Sequence, residues 1–136
     1  MSVVAVTDTH ALIWATSGHL AKLGTKAREF YEAVDRGEKA LYIPTICLVE
    51  LSEAMHGGSV RLTGGLTFTQ FVDRLHQSDR YILVDLTADI VIASQGFVDT
   101  LERGDRLIAA TALALQAPLI TRDPDIAKTA QVELLW

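Results

Sequence analysis

The sequence predicts an α/β fold built on a parallel sheet, and three observations carry that expectation. Short apolar runs alternate with amphipathic helical stretches along the whole 136-residue chain. The stretch from Asp105 to Asp123 reads as a nearly all-apolar helix followed by a short strand buried on both faces. The composition is globular, at 49% hydrophobic and 21% charged with no repeat, and a chain of this length buries roughly two thirds of the surface its unfolded form exposes.

Taken in order, Val3 to Val6 is a buried-strand pattern ended by Thr7-Asp8-Thr9, with Ala11, Leu12 and Trp14 beginning a helix beyond. Thr9 is the expected N-cap; Asp8 stands one residue early, so capping accounts for the threonine better than for the aspartate. His10, His19, His56 and His76 are scattered singly, without ligand spacing, and read as structural. Thr25 to Asp35 is an amphipathic helix with Ala27, Phe30, Tyr31 and Val34 on one face and Gly37 past its end. Leu41-Tyr42-Ile43 is a strand closed by Pro44, and Thr45 opens a helix that runs to His56 and stops at Gly57-Gly58. His56 to Thr67, with four glycines and Arg61, reads as a mobile loop. Phe68, Phe71, Val72 and Leu75 mark another amphipathic helix, Tyr81 to Val84 another strand, and Thr87 caps a helix through Ala93. Pro118 ends the apolar helix, Leu119-Ile120-Thr121 is the buried strand after it, and Val132 to Trp136 is a last short strand.

Arithmetic locates the ends of the central stretch. Eleven steps from Asp105 to Gln116 at ~1.5 Å climb about 16 Å, and five from Pro118 to Asp123 at ~3.3 Å return about as far. Both aspartates therefore finish at one sheet edge, outside the carboxyl ends of the strands, where open parallel sheets carry their ligands. Each also has a local reading: Asp105 as a helix cap, Asp123 as the opener of a turn with Pro124. Glu50 is the acid inside a helix whose neighbours Ile46, Cys47, Leu48, Val49, Leu51, Ala54 and Met55 cover nearly the full circumference. Ionised carboxylates are rarely buried without a partner, so Glu50 reads as partnered, near the same edge, and Glu53 as a surface charge.

The chain reads as a single domain over residues 1–136. Its longest apolar stretch, Leu107 to Leu115, is too short to span a bilayer, and its first residues lack the basic region of a signal peptide. One cysteine, Cys47, excludes an internal disulfide; the expected compartment is the cytoplasm. A net charge of −5 argues against a nucleic-acid partner at first sight, but gathering four carboxylates around cations removes most of it and leaves room for local arginine clusters.

Asp8, Glu50, Asp105 and Asp123 all map to the strand-end edge, each from a different segment. Like charges a few ångströms apart raise one another's pKa values, and a divalent cation relieves the repulsion. Oxygen ligation without Cys or His pairs selects Mg²⁺ or Mn²⁺, ions that activate water and bridge phosphoryl oxygens, so phosphodiester hydrolysis is the natural reaction.

The segments Val-Thr-Asp8-Thr-His-Ala-Leu-Ile-Trp, the Glu50 helix, Gly-Asp105-Arg-Leu-Ile-Ala-Ala-Thr-Ala and Leu-Ile-Thr-Arg-Asp123 together resemble a PIN domain of the VapC toxin type along the whole chain. The closing Val-Glu-Leu-Leu-Trp resembles that family's last strand. The resemblance implies a three-layer α/β/α fold with a mainly parallel five-stranded sheet and Mg²⁺- or Mn²⁺-dependent cleavage of single-stranded RNA. It also implies a homodimer and a cognate antitoxin. By position the family's acidic quartet falls on Asp8, Glu50, Asp105 and Asp123, with Thr121 assisting. Close relatives often carry Asp-Pro before the third acidic motif, where this chain has Glu102-Arg103.

Arg103, Arg106 and Arg122 flank the acidic edge and are, with Thr121, candidates to contact RNA phosphates. Salt bridges of these arginines to Glu102, Asp99 or Asp125 are the competing reading. Other classes compare less well. A receiver-like domain expects paired acids after its first strand, and a haloacid-dehalogenase phosphatase expects Asp-x-Asp where His10 stands. A nuclease of RNA processing and a silent metal-binding interaction module are the remaining alternatives.

Overall fold

The structure, a computed structural model, describes residues 2–129 and 131–136. Five strands form one sheet: β1 (Val4–Thr7), β2 (Ala40–Pro44), β3 (Tyr81–Val84), β4 (Leu119–Ile120) and β5 (Leu134–Leu135). Their order is β3-β2-β1-β4-β5, and every pairing is parallel, so the sheet is parallel throughout. Among the described residues seven α-helices connect and cover them: α1 (Thr9–Thr16), α2 (Thr25–Asp35), α3 (Thr45–His56), α4 (Phe68–Gln77), α5 (Ala88–Ser94), α6 (Arg103–Leu115) and α7 (Pro124–Thr129).

This order creates a crevice. The chain begins in the middle of the sheet, builds outward through β2 to β3, then returns past β1 to lay β4 on its other side. Connections leaving β1 and β4 diverge to opposite sides, and ligands of open α/β sheets bind where the strand order reverses in this way. Asp8 follows β1 and Asp123 follows β4.

Burial explains why these segments take up those positions. Ala5 and Val6 of β1, Leu41 and Ile43 of β2, and Leu119 and Ile120 of β4 are fully buried, as apolar runs covered on both faces must be. Each such Leu or Ile contributes about 1.5–3 kcal/mol relative to leaving it exposed. Helix α6 buries Leu107 to Ala112 without a break and contacts β1, α3 and α5; its alanines let the backbones approach. Gln116 ends the helix in the left-handed region at φ 51°, and Pro118 starts the return toward β4.

Three local expectations change. Helix α6 begins at Arg103, because Glu102 just before it is extended. The segment between α3 and α4 is tied down: Leu62 is buried, residues Thr63–Gly65 form a short 3-10 turn, and Thr63 Oγ1 donates to the Thr16 carbonyl at 3.3 Å. After Asp123 the chain turns straight into α7. Among the described residues no helix is long and apolar enough to cross a membrane.

Candidate active site at the strand-end edge

Asp8 leaves β1 in extended conformation and is itself the N-cap of α1, its Oδ1 accepting from the Ala11 amide at 2.8 Å. Thr9, the residue expected to cap, is the first helical residue instead, and its Oγ1 donates to Glu50 Oε1 at 2.5 Å. Capping and a role in the site therefore do not compete at Asp8, because a carboxylate has two oxygens and about four acceptor directions, of which the cap uses one. Asp123 is held in the same manner. Its Oδ1 accepts from the Asp125 amide at 2.8 Å, with Pro124 at the first helical position, so the turn anticipated there becomes the start of a helix.

The other two acids arrive on helices. Asp105 lies in the first turn of α6, where the helix dipole favours negative charge. Glu50 reaches across from α3 onto the same turn: a Cβ added at Gly104 would stand 2.9 Å from Glu50 Oε2, so glycine makes the space the carboxylate occupies. Gly104 thus links the second acid to the third.

The neighbouring charges and burial raise two of the four acids. Burial, then the charge of Asp123 and a hydrogen bond with it, then Glu50 and Asp8, push the Asp105 carboxyl up to about 6. Burial also raises Asp8, against the hydrogen bonds of Thr121 and the Ala11 amide; the charge of Asp123 adds to the rise. Thr121 is 1% exposed and serves both neighbours, since its hydroxyl bonds Asp8 and its Oγ1 accepts from the Asp123 amide at 3.1 Å. At that burial its contacts are with the two acids.

The arginines separate. Arg122 lines a crevice of about 300 Å³ with Asp8, Asp105 and Asp123. Arg106 donates to the Leu101 carbonyl at 3.2 Å, and Arg103 is exposed away from that crevice. Among the described residues none of the three forms a salt bridge to Glu102, Asp99 or Asp125.

Among the described residues no three Asp, Glu, His or Cys side chains are gathered tightly enough to enclose one ion. The donor chemistry nevertheless fits a hard divalent cation: oxygen only, partly desolvated, with the charges of Asp123, Glu50 and Asp8 raising the Asp105 carboxyl.

The sequence reading passed over four residues that line the same crevice or its wall. His10 and Trp14 of α1, one helical turn apart, have ring centroids 5.9 Å apart, and Trp136 packs against Trp14 at 6.0 Å. Lys22 Nζ lies 5.9 Å from the Trp14 ring centre. The available signal was the i, i+4 spacing of His10 and Trp14 immediately after an acid at a strand end.

The chain belongs to the PIN domain family, whose match covers residues 5–132. In fold it is similar to VapBC2 from Rickettsia felis, solved bound to a DNA fragment from their promoter, with a TM-score of 0.67, 17% identity and 96% of each chain covered. It is also similar to FitAcB from Neisseria gonorrhoeae (TM-score 0.61, 16% identity, 96% of this chain and 95% of that one). A toxin-antitoxin complex from Klebsiella pneumoniae is similar as well (TM-score 0.57, 22% identity, 90% of each chain). At these identities the likeness is one of fold. No curated protein matches the chain in sequence.

Proposed function

We propose that this chain, as a single domain, is a divalent-metal-dependent endoribonuclease that cleaves single-stranded RNA and acts as the toxin of a toxin-antitoxin pair. What supports the reading is that Asp8, Asp105 and Asp123 line one crevice, with Glu50 against Gly104 next to Asp105, at the switch point of a PIN fold. PIN domains are generally nucleases, and the Klebsiella pneumoniae neighbour is a toxin-antitoxin complex.

Asp8, Asp105 and Asp123 would hold Mg²⁺ or Mn²⁺, with Glu50 beside them. When bound, such an ion neutralises the carboxylates, polarises the phosphoryl oxygens and acidifies a water. The chain's own residues supply the order. The Ala11 amide and the Thr121 hydroxyl hold Asp8, and Thr121 also fixes the backbone that presents Asp123. Thr9 grips Glu50 through Oε1 and so fixes that carboxylate against Gly104, next to Asp105. A cognate antitoxin would silence the site most simply by reaching the acids with an arginine.

The test is cleavage of single-stranded RNA with Mg²⁺ or Mn²⁺ by purified protein. Asp105→Asn is expected to lower the rate by ~10² or more with the fold retained, because an amide neither ligates the ion nor takes a proton as a carboxylate does. Undiminished cleavage by the folded variant would remove Asp105 from the site. Growth arrest on expression, relieved by a co-expressed product of a neighbouring reading frame, separates a toxin from a nuclease of RNA processing.

A homodimer is part of the same reading. Val49, Leu86, Val91, Ile92 and Val98 are large apolar residues between 41% and 67% exposed, and four of them belong to α5 and its flanks. Large apolar side chains exposed in this number are what an interaction face would cover.

A further inference from the structure

Beside the carboxylates the crevice has a second wall with a different chemistry. Trp14 is its centre. The Arg122 guanidinium carbon lies 4.8 Å from the Trp14 ring centre and 5.8 Å from that of Trp136, Lys22 Nζ stands 5.9 Å from Trp14, and the His10 ring is tilted against it. Three basic side chains thus surround one indole. Among the described residues neither Arg122 nor Lys22 makes a salt bridge, although Asp8, Asp105 and Asp123 line the same crevice as Arg122. The position of Trp136 is specified by its neighbour: a Cβ at Gly24 would meet its ring at 2.5 Å.

We infer that His10, Trp14, Lys22, Arg122 and Trp136 form a nucleotide subsite next to the acids, which stacks one base of a single-stranded substrate and grips the adjoining phosphate. Arg122 is exposed while one side of it rests over Trp14, which leaves its outer side as a stacking surface and its N–H groups for phosphate oxygens. Arginine planes and aromatic rings are the surfaces on which unpaired bases stack, and a paired base has no free face to offer. Cations held by aromatic rings keep their charge for an anion, whereas cations paired with acids spend it. The subsite accordingly puts positive charge beside an edge that otherwise repels nucleic acid. This inference rests on the nuclease reading above and adds to it a residue set for substrate recognition.

The chain's two tryptophans are both in this crevice, so intrinsic fluorescence reads the subsite without a label and without turnover. The probe is a six-nucleotide single-stranded RNA titrated in EDTA, compared with an abasic ribose-phosphate oligomer of the same length. The RNA is expected to perturb the fluorescence and bind about tenfold more tightly than the abasic oligomer. Arg122→Lys, which keeps the charge and loses the plane, should bind the two oligomers alike. His10→Ala, at an exposed position, should raise KM for RNA cleavage several-fold with kcat little changed. Equal affinity of the wild type for both oligomers would overturn base stacking, leaving phosphate contact alone. RNA cleavage with no fluorescence response would overturn the subsite while the nuclease reading stands. Absence of both binding and cleavage with either metal would remove the nuclease reading and this inference with it.

Discussion

Asp8 uses one oxygen to start a helix and keeps the other for its neighbours, so its charge can be removed without removing the cap. Asparagine caps about as well as aspartate. In EDTA the native state carries repulsion among the four acids that the unfolded chain, with the acids far apart, does not. Asp8→Asn is therefore expected to raise the melting temperature of the metal-free protein. Metal is expected to reverse the ranking: Mn²⁺ at ~100 times its dissociation constant should stabilise the wild type by about 2.7 kcal/mol and the variant by much less. Differential scanning fluorimetry in both conditions decides it, and equal metal shifts would show that Asp8 is not a ligand. Asp105 predicts a pH dependence. Its folded value of about 6 lies above the ordinary 3.8, so between about pH 4 and pH 6 the native state holds a proton that the unfolded chain has lost. The destabilisation from this group is present above pH 6 and is relieved as the pH falls. Comparison of the metal-free wild type with Asp105→Asn from pH 7 to pH 5 should show the wild type gaining relative to the variant. No relative gain would mean that Asp105 is not crowded.

At the scale of elements, α6 is the piece the sheet closes around. Ala109, Ala110 and Ala112 have no exposed surface, and the helix lies against β1, α3 and α5. Ala109 is fully buried in a helix that packs on β1, α3 and α5, so Ala109→Leu is expected to cost about 1–3 kcal/mol by overpacking. Chemical denaturation would measure it, and an unchanged midpoint would contradict the close approach. Helix type and order were legible because the apolar spacing changes from one period to the other at each boundary. Thr25–Asp35 and Thr45–His56 follow it residue for residue. Boundaries set by a backbone angle were not legible: α6 starts at Arg103 because Glu102 is extended, and α1 is capped by Asp8 because Thr9 already belongs to the helix.

For the whole molecule, the apolar surface around α5 is the feature that a lone chain leaves unexplained. Ile92, 67% exposed, is the most exposed of its large apolar residues. Ile92→Asp places a charge in the middle of the proposed dimer face, where desolvating it without a partner is costly. Light scattering should find the wild type at twice the chain mass and the variant at the mass of one chain. A monomeric wild type would assign that surface to another partner.

The sequence by itself determined the alternation of strands and helices, the parallel sheet and the burial of the 105–123 stretch, because these follow from local periodicity and from the distance that helix and strand travel per residue. Counting from strand ends and helix starts also led to the expectation that Asp8, Glu50, Asp105 and Asp123 share one edge. The tertiary structure alone decided what each acid touches: Thr9 turned from a cap to a partner of Glu50, Gly104 opened the space for that carboxylate, and Thr121 went under the acids. It alone also gathered His10, Trp14, Lys22, Arg122 and Trp136. Each of these has an ordinary local reading as a helix face, a surface charge or a strand end. Segments more than a hundred residues apart in the chain meet only when β4 and β5 are laid beside β1, and no local period encodes that meeting.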